Sequence, residues 1–454
     1  MSERACLGWS GIVRLGLVQA ALGAIVVLTT STMNRVMVVE FALPAMLPGA
    51  LVALHHVIQM SRPRFGYGSD VGGRRTPWII GGMLVLALGG IAASMGTALM
   101  GLDPVSGTAV ALLGFVMIGL GVGACGTSLL VLLAKRVDAG RRAAAATIVW
   151  VMMIAGFAMT AGLAGHFLDP FSPQRLVLVT SVVAFGAVLI TLLAIRNLEG
   201  APPPADASGV DSKKDKPSFR VALAEVWGES EARRFTLFVF VSMLAYSAQD
   251  LILEPFAGLV FGMTPGESTQ LAGVQHGGVL LGMIVVAVTG TLLKRAKHSV
   301  LRAWTIGGCI ASAAALFGIA VGGFLAPHWR LKATVFALGV ANGAFAVAAI
   351  GSMMALAGHG RRGREGLRMG LWGAAQAIAF GLGGFLGTVA VDLTRFLYGA
   401  PEVAYGIVFG AEAALFLVSA ALAATVRQPR PVEVREEAVP TFGDAGLIEL
   451  AEGR

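Results

Sequence analysis

The chain has 454 residues, 56% of them hydrophobic and only 13% charged, with a mean hydropathy of +0.78. A soluble domain carries roughly 25% charged residues, so this composition excludes an ordinary cytosolic enzyme, and its hydrophobicity excludes disorder. The formal net charge of +8 invites a nucleic-acid partner, a reading that depends on where the charges sit.

A bilayer-crossing helix needs about 20 mostly apolar residues. Twelve such stretches are predicted, at 11–33, 38–60, 77–99, 107–133, 144–166, 176–196, 235–257, 268–293, 303–325, 331–357, 370–392 and 403–426. The first reads as a span and not a cleavable signal, because it is long and Arg14 interrupts its start. Placed on these spans, 29 of the 34 basic residues fall on one side of the membrane; only Arg35, Arg175, Arg330, Lys332 and Arg395 fall on the other. The positive-inside rule makes the rich side cytoplasmic and puts both termini there. The positive surplus therefore records topology, and no nucleic-acid partner is expected. Glycine, at 61 residues, is well above its usual share of about 7%. With no G-x-y repeat, it points to helices packed closely in lipid. Cys6, Cys125 and Cys309 are widely spaced, with no His beside them, and give neither a disulfide framework nor a structural metal site.

In chain order, the first informative segment is the loop after span 2, Gly66-Tyr-Gly-Ser-Asp70-Val-Gly-Gly73-Arg74-Arg75. It resembles the G-x-x-x-D-(R/K)-x-G-(R/K)-(R/K) loop of the major facilitator superfamily, with Val71 standing where a basic residue is usual. The resemblance implies a gate in which Asp70 meets the positive N-terminus of span 11; the plain alternative is a basic turn with an incidental Asp. In span 4, Gly121-Val-Gly123-Ala-Cys-Gly126 matches GxGxxG. It lies inside an apolar helix with no strand before it, so helix packing is the better reading than a nucleotide site. Gly383 and Gly387 in span 11 read likewise.

Residues 197–234 form a Pro/Ser/charge-rich cytoplasmic linker between an N-terminal half at 1–196 and a C-terminal half at 235–426, with a cytoplasmic tail at 427–454. Within the linker, Phe219–Phe235 is either a short amphipathic helix on the membrane face or a plain connector. The two halves echo each other. Ser128, Gly140-Arg-Arg142, Trp150 and Asp169 are repeated as Ser352, Gly360-Arg-Arg362, Trp372 and Asp392. Two such halves related as parallel repeats fit an all-α membrane protein of major-facilitator type, with twelve transmembrane helices in two six-helix halves.

Span 7 carries Gln249-Asp250-Leu-Ile-Leu-Glu254-Pro255. Asp250 and Glu254 are four apart and share a face, while Pro255 frees a carbonyl. Acids inside a membrane are expensive and usually functional. They form a proton, cation or pigment-positioning site, or else two acids at a water-exposed helix end. His276 in span 8 and His55-His56 in span 2 are imidazoles able to ligate a chlorophyll magnesium, or else hydrogen-bonded core residues. Gln19, Asn342, Gln376 and Glu40 are weaker candidates. The chain has no GxxxxGK[ST] loop, no HExxH and no pair of Asp-rich segments to hold magnesium diphosphate, so an ATP-driven pump and a prenyl-transfer enzyme are disfavoured.

Three segments carry a family resemblance. Leu28-Thr-Thr-Ser-Thr-Met-Asn34-Arg35-Val-Met-Val-Val-Glu40, the Gly66 loop with Arg74-Arg75-Thr-Pro-Trp78, and Gln249-Asp250-Leu-Ile-Leu-Glu254-Pro255-Phe-Ala-Gly258 resemble the PucC/LhaA family, the bacteriochlorophyll delivery branch of the major facilitator superfamily. The glycine-rich loop is most similar to the branch labelled a bacteriochlorophyll synthase chain. The resemblance implies a non-enzymatic assembly factor in the bacterial photosynthetic inner membrane. Bacteriochlorophyll would be its bound cargo, and light-harvesting apoproteins and pigment-synthesis enzymes its partners. No nucleotide is expected. A proton-coupled secondary transporter of a small solute is the alternative.

Overall fold

The computed structural model describes residues 7–61, 74–138, 141–199, 227–292, 297–357 and 365–426. Among them every regular element is a helix. In chain order these are α1 (Trp9–Glu40), α2 (Met46–Gln59), α3 (Thr76–Met100), α4 (Pro104–Arg136), α5 (Arg142–Leu168) and α6 (Pro173–Ile195), then α7 (Ser230–Phe261), α8 (Pro265–Leu292), α9 (Lys297–Phe324), α10 (Leu331–Ala357), α11 (Glu365–Tyr398) and α12 (Pro401–Thr425). Eleven are long and apolar enough to cross a membrane, and α2 is a shorter apolar helix.

Local chemistry sets the helix starts. Pro104 and Pro173 open α4 and α6, where the missing N–H costs nothing, and the preceding Asp103 and Ser172 accept from Val105 N and Arg175 N at 3.1 Å. At the end of α7, Gly262 adopts φ +67°, the left-handed conformation that favours glycine. Its N–H reaches Gly258 O at 3.1 Å, and the Met263 N–H reaches Ala257 O at 3.2 Å.

The apolar core has two large clusters, one from α1–α6 with Leu251, the other from α7–α12, and smaller ones that bridge the halves between α5 and α8. Glycine makes the tightest packing, between α3 and α4. Gly82, Gly89 and Gly96 face Gly107, Gly114 and Gly121, each set spaced by seven residues. A Cβ on Gly121 would lie 2.5 Å from Leu86 N, and one on Gly89 2.8 Å from Ile118 N. The GxGxxG run thus sits in an unbroken helix and serves backbone approach. Gly387 likewise admits Ala248, whose Cβ would be 3.0 Å away.

The two halves meet through α1 with α7 and α8, α2 with α11, and α5 with α8. The first pair corrects the predicted boundaries. Apolar periodicity ends span 1 near residue 33 and starts the next near 38, yet α1 runs unbroken to Glu40. Two wide turns carry it on: Met33 N–H returns to Leu28 O and Phe41 N–H to Val36 O, each five residues back. The break comes at Ala42, with φ +50°, just before Pro44. Asn34, Arg35 and Glu40 therefore belong to the end of α1. The Trp echo does not carry a shared environment: Trp372 is buried and donates to Ala232 O at 3.4 Å, whereas Trp150 is 40% exposed. Residues 219–226 of the expected Phe219–Phe235 helix and all of the tail lie outside the described residues; its last residues, from Ser230, belong to α7, where Phe235 packs against Trp372.

Candidate functional site

Because the helices alternate in direction, the bundle has two ends. One bears Arg14, Lys135, Arg136, Arg141 and Arg142, and is called the basic end; the other, bearing Glu40, Asp169 and Asp392, is the far end. The functional side chains concentrate where α1 crosses α7 toward the far end. Pro255 lies inside α7 and has no N–H, so the Leu251 carbonyl four residues earlier loses its helical donor. The helix continues nonetheless, because the Asn34 side-chain amide of α1 donates to Leu251 O across the seam. One turn on, Ser31 Oγ donates to Glu254 Oε1, and Ser268 and Thr269 of α8 also approach that carboxyl. Thr32 Oγ1 lies 3.1 Å from Thr269 Oγ1. Glu254 Oε2 and Asn34 Oδ1 are buried without partners.

Arg35 completes the crossing. It is only 2% exposed and pairs with Glu40 on its own helix. Its other arm donates to Met263 O at 2.7 Å, clipping the turn after α7. Gly258 makes this possible: a Cβ there would stand 3.0 Å from Arg35 Nη2. A buried guanidinium is tolerated when its charge is matched, here by the Glu40 carboxylate, with Met263 O taking a second arm while Nε is left without a hydrogen-bond partner.

The flanking seams close by paired caps. Asp169, after α5, accepts from Thr264 Oγ1 at 2.6 Å and Gly266 N at 3.1 Å, at the start of α8. Asp392, in α11, accepts from Ala45 N at 3.0 Å and Met46 N at 2.7 Å, at the start of α2. Each carboxylate of one half thus meets the positive end of a helix in the other. The echo in the sequence had ended on these two acids; their capping role was not legible there.

Gln249 and Asp250 lie inside the C-terminal half. Gln249 is 0% exposed and neither amide atom has a hydrogen-bond partner. Asp250 is half-buried, one turn after Tyr246 on α7. Of the two acids predicted as one site, Glu254 is the one hydrogen-bonded to α1, through Ser31. Glu412 was missed, although a lone acid in an apolar span is a signal in itself.

The histidines separate too. His276 of α8 has Nδ1 2.9 Å from Ala272 O and packs edge-on against Phe157 of α5. This fixes the tautomer and leaves Nε2 as the free lone pair. His55 is buried with Nδ1 2.7 Å from Val52 O; His56 stacks on it at 4.0 Å and faces Phe380 of α11. A third imidazole, unanticipated, is His166. With Gly162, Gln270, Gly273 and Val274 it lines a groove of about 430 Å³ on the outer side of the α5–α8 seam. Its ring touches Phe167 and makes no hydrogen bond with any described residue. Met159, Leu163 and Phe167, also exposed, recur every four residues along α5.

Gly66, Asp70 and Gly73 of the gating loop lie outside the described residues. At the end of that loop the Arg75 N–H and the Thr76 N–H, the latter at 2.8 Å, donate to the carboxylate of Glu199, which follows α6 and caps α3. Burial pushes the Glu199 carboxyl up, but hydrogen bonds from Thr76 and Arg75 with the Arg75 charge outweigh it, so the group sits below its usual range. Arg136 donates to Glu199 O at 2.8 Å and Arg14 to Ala194 O at 2.9 Å, binding α1 and α4 to the end of α6.

Similarity decides the family. The family profile described as PUCC protein matches residues 32–430. The chain belongs to the PucC family. Like this chain, other PucC-family sequences match over nearly their full length. A Rhodobacter capsulatus protein named bacteriochlorophyll synthase 44.5 kDa chain is 53% identical, over 92% of this chain and 96% of its own. Protein PucC of Cereibacter sphaeroides is 30% identical, over 89% and 90%. Among solved structures, a D-xylose–proton symporter superposes with a TM-score of 0.70 at 12% identity, covering 92% of this chain and 98% of its own. The nucleoside transporter NupG does so with 0.65 at 13% identity, over 92% and 100%. These likenesses establish a major-facilitator-type fold, and with it a multi-pass membrane protein of the PucC family.

Proposed function

We propose that this PucC-family protein is a non-enzymatic membrane assembly factor that holds or delivers bacteriochlorophyll while light-harvesting complexes are built in photosynthetic bacteria. The observation that carries the reading is the near full-length match, at 53% identity, to a protein whose name ties it to bacteriochlorophyll. The word synthase in that name is not adopted, because the sequence has no paired Asp-rich segments to hold magnesium diphosphate. Two imidazoles support pigment binding: His166 in its outer groove, and His276 with a free Nε2. A groove of this volume is of ligand size, and the exposed apolar side chains of α5 suit a tailed macrocycle. Light-harvesting apoproteins and pigment-synthesis enzymes are the partners this reading requires, in the bacterial inner membrane with both termini cytoplasmic.

The test is pigment retention by protein purified in mild detergent from photosynthetic membranes, for wild type, His166→Ala, His276→Ala and Asp250→Asn. Retention by wild type and its loss in a histidine variant is expected. A wild-type protein that binds no pigment would overturn the reading; retention in all three variants would sink the ligand assignment alone. A second reading, a proton-coupled carrier of a small solute, is favoured by the buried acids of α7. A saturable flux driven by a pH gradient in reconstituted vesicles would select it.

A further inference from the structure

We propose that the α5–α8 groove is a binding site for a magnesium-bearing macrocycle that both halves of the chain build together. His166 of α5 supplies the axial ligand, Gln270 of α8 a hydrogen bond to the edge of the ring, and the Asp169 clip keeps the two side by side. The inference rests on the pigment reading above; it adds which imidazole holds the cargo and what assembles the site. One turn of each helix lines the groove, Gly162 with His166 on α5, and Gln270 with Gly273 and Val274 on α8. Spacings of three and four keep each set on one helix face. A Cβ on Gly162 would meet nothing within 4 Å, so its bare backbone leaves the groove open. A Cβ on Gly273 would stand 2.9 Å from Gly162 N, and one on Gly165, next to His166, 2.8 Å from Gln270 Cγ. Glycine thus lets α5 and α8 touch where the two polar side chains lie.

The donors define the ligand. His166 is exposed and Gln270 half-buried, and neither the ring nor the amide makes a hydrogen bond with a described residue. A free transition-metal ion takes three or four protein ligands, and no group of three metal-ligating side chains exists among the described residues. One neutral imidazole does suffice for a metal that arrives already chelated in a ring with an axial position open. A lipid or a metal-free ring would leave that nitrogen unused. The Phe167 ring, centred 5.4 Å from that of His166, and the bare Gly162 backbone offer apolar contact to the macrocycle. His276 does not line the groove; its ring stands edge-on against Phe157. Because the axial ligand and the amide come from opposite halves, the site exists only while α5 and α8 stay packed. Asp169, three residues after His166, fastens this seam through Thr264 Oγ1 and Gly266 N, whereas Asp392 fastens the α2–α11 seam.

The test is titration of the purified full chain in lipid nanodiscs, against empty nanodiscs, with bacteriochlorophyll and with bacteriopheophytin, the same ring without magnesium. Absorption reads both the affinity and the coordination state of the magnesium. Wild type should bind the magnesium pigment about tenfold or more tightly than the metal-free one. His166→Ala should erase that preference, and Gln270→Met should weaken both pigments alike. Gly162→Leu, which fills the groove, should weaken both by about tenfold or more. Asp169→Ala should weaken binding and Asp392→Ala should not. A wild type that binds neither pigment overturns the pigment reading and this inference with it. Binding of the magnesium pigment that survives undiminished in Gly162→Leu and His166→Ala overturns this inference alone. So does equal wild-type affinity for the two pigments, or a loss in His276→Ala with none in His166→Ala. Monodispersity and circular dichroism establish that each variant is folded; if Gly162→Leu fails to fold, the metal preference of His166→Ala, a substitution of an exposed residue, decides the outcome.

Discussion

The Asn34–Leu251 bond makes a quantitative claim about why α7 stays continuous through Pro255. Replacing Asn34 by Ala leaves the Leu251 carbonyl buried with neither a helical nor a side-chain donor. An unsatisfied buried group costs about 1–3 kcal/mol, and interhelical hydrogen bonds in membranes measure roughly 0.6 to 1.7 kcal/mol, so Asn34→Ala should destabilise the fold by about 1 kcal/mol. Pro255→Ala restores an N–H four residues after Leu251, and the helix can then satisfy that carbonyl itself. In the Pro255→Ala background the Asn34→Ala cost should fall close to zero. The double-mutant cycle would then show a coupling of about 1 kcal/mol. Unfolding in mixed dodecylmaltoside and SDS micelles, followed by circular dichroism, measures all four corners. Additivity within about 0.3–0.5 kcal/mol would refute the claim that Asn34 substitutes for the donor proline removes.

Three further outcomes are expected. Gly121→Leu should prevent α3 and α4 from packing and abolish monodisperse protein, whereas Gly81→Ala, whose Cβ meets nothing within 4 Å, should leave elution and melting unchanged. Asp169→Ala and Asp392→Ala should each cost about 0.5–2 kcal/mol as lost helix caps; lying on different seams, they should add, which the same micelle unfolding checks. Glu199 has its folded-state carboxyl held below the unfolded value, so its contribution is present above the ordinary glutamate range and is lost as pH falls through and below it. Stability measured against pH should therefore drop less steeply on the acid side in Glu199→Gln than in wild type, and parallel curves would contradict the capping role.

The membrane fold was legible because hydrophobic length and charge placement are one-dimensional quantities. Twelve apolar stretches, a polar stretch near the middle and glycines at helical spacing are visible without any contact being known. The acids of α7 were legible too, since a carboxyl within an apolar run is conspicuous wherever it points. What these side chains meet is set by rotation about helix axes and by pairing across a distance of more than two hundred residues. Periodicity ended span 1 too early because wide turns let polar residues stay helical once a partner helix receives them. Asn34 became significant only when Pro255 of another helix was placed opposite it. Asp250 and Glu254 share a face by spacing, but that Ser31 of α1 donates to Glu254 is decided by helix packing alone. Asp169 and Asp392 echoed each other in sequence, but only the packing of α5 on α8 and of α11 on α2 brought each carboxylate to the helix end whose unpaired N–H groups it satisfies.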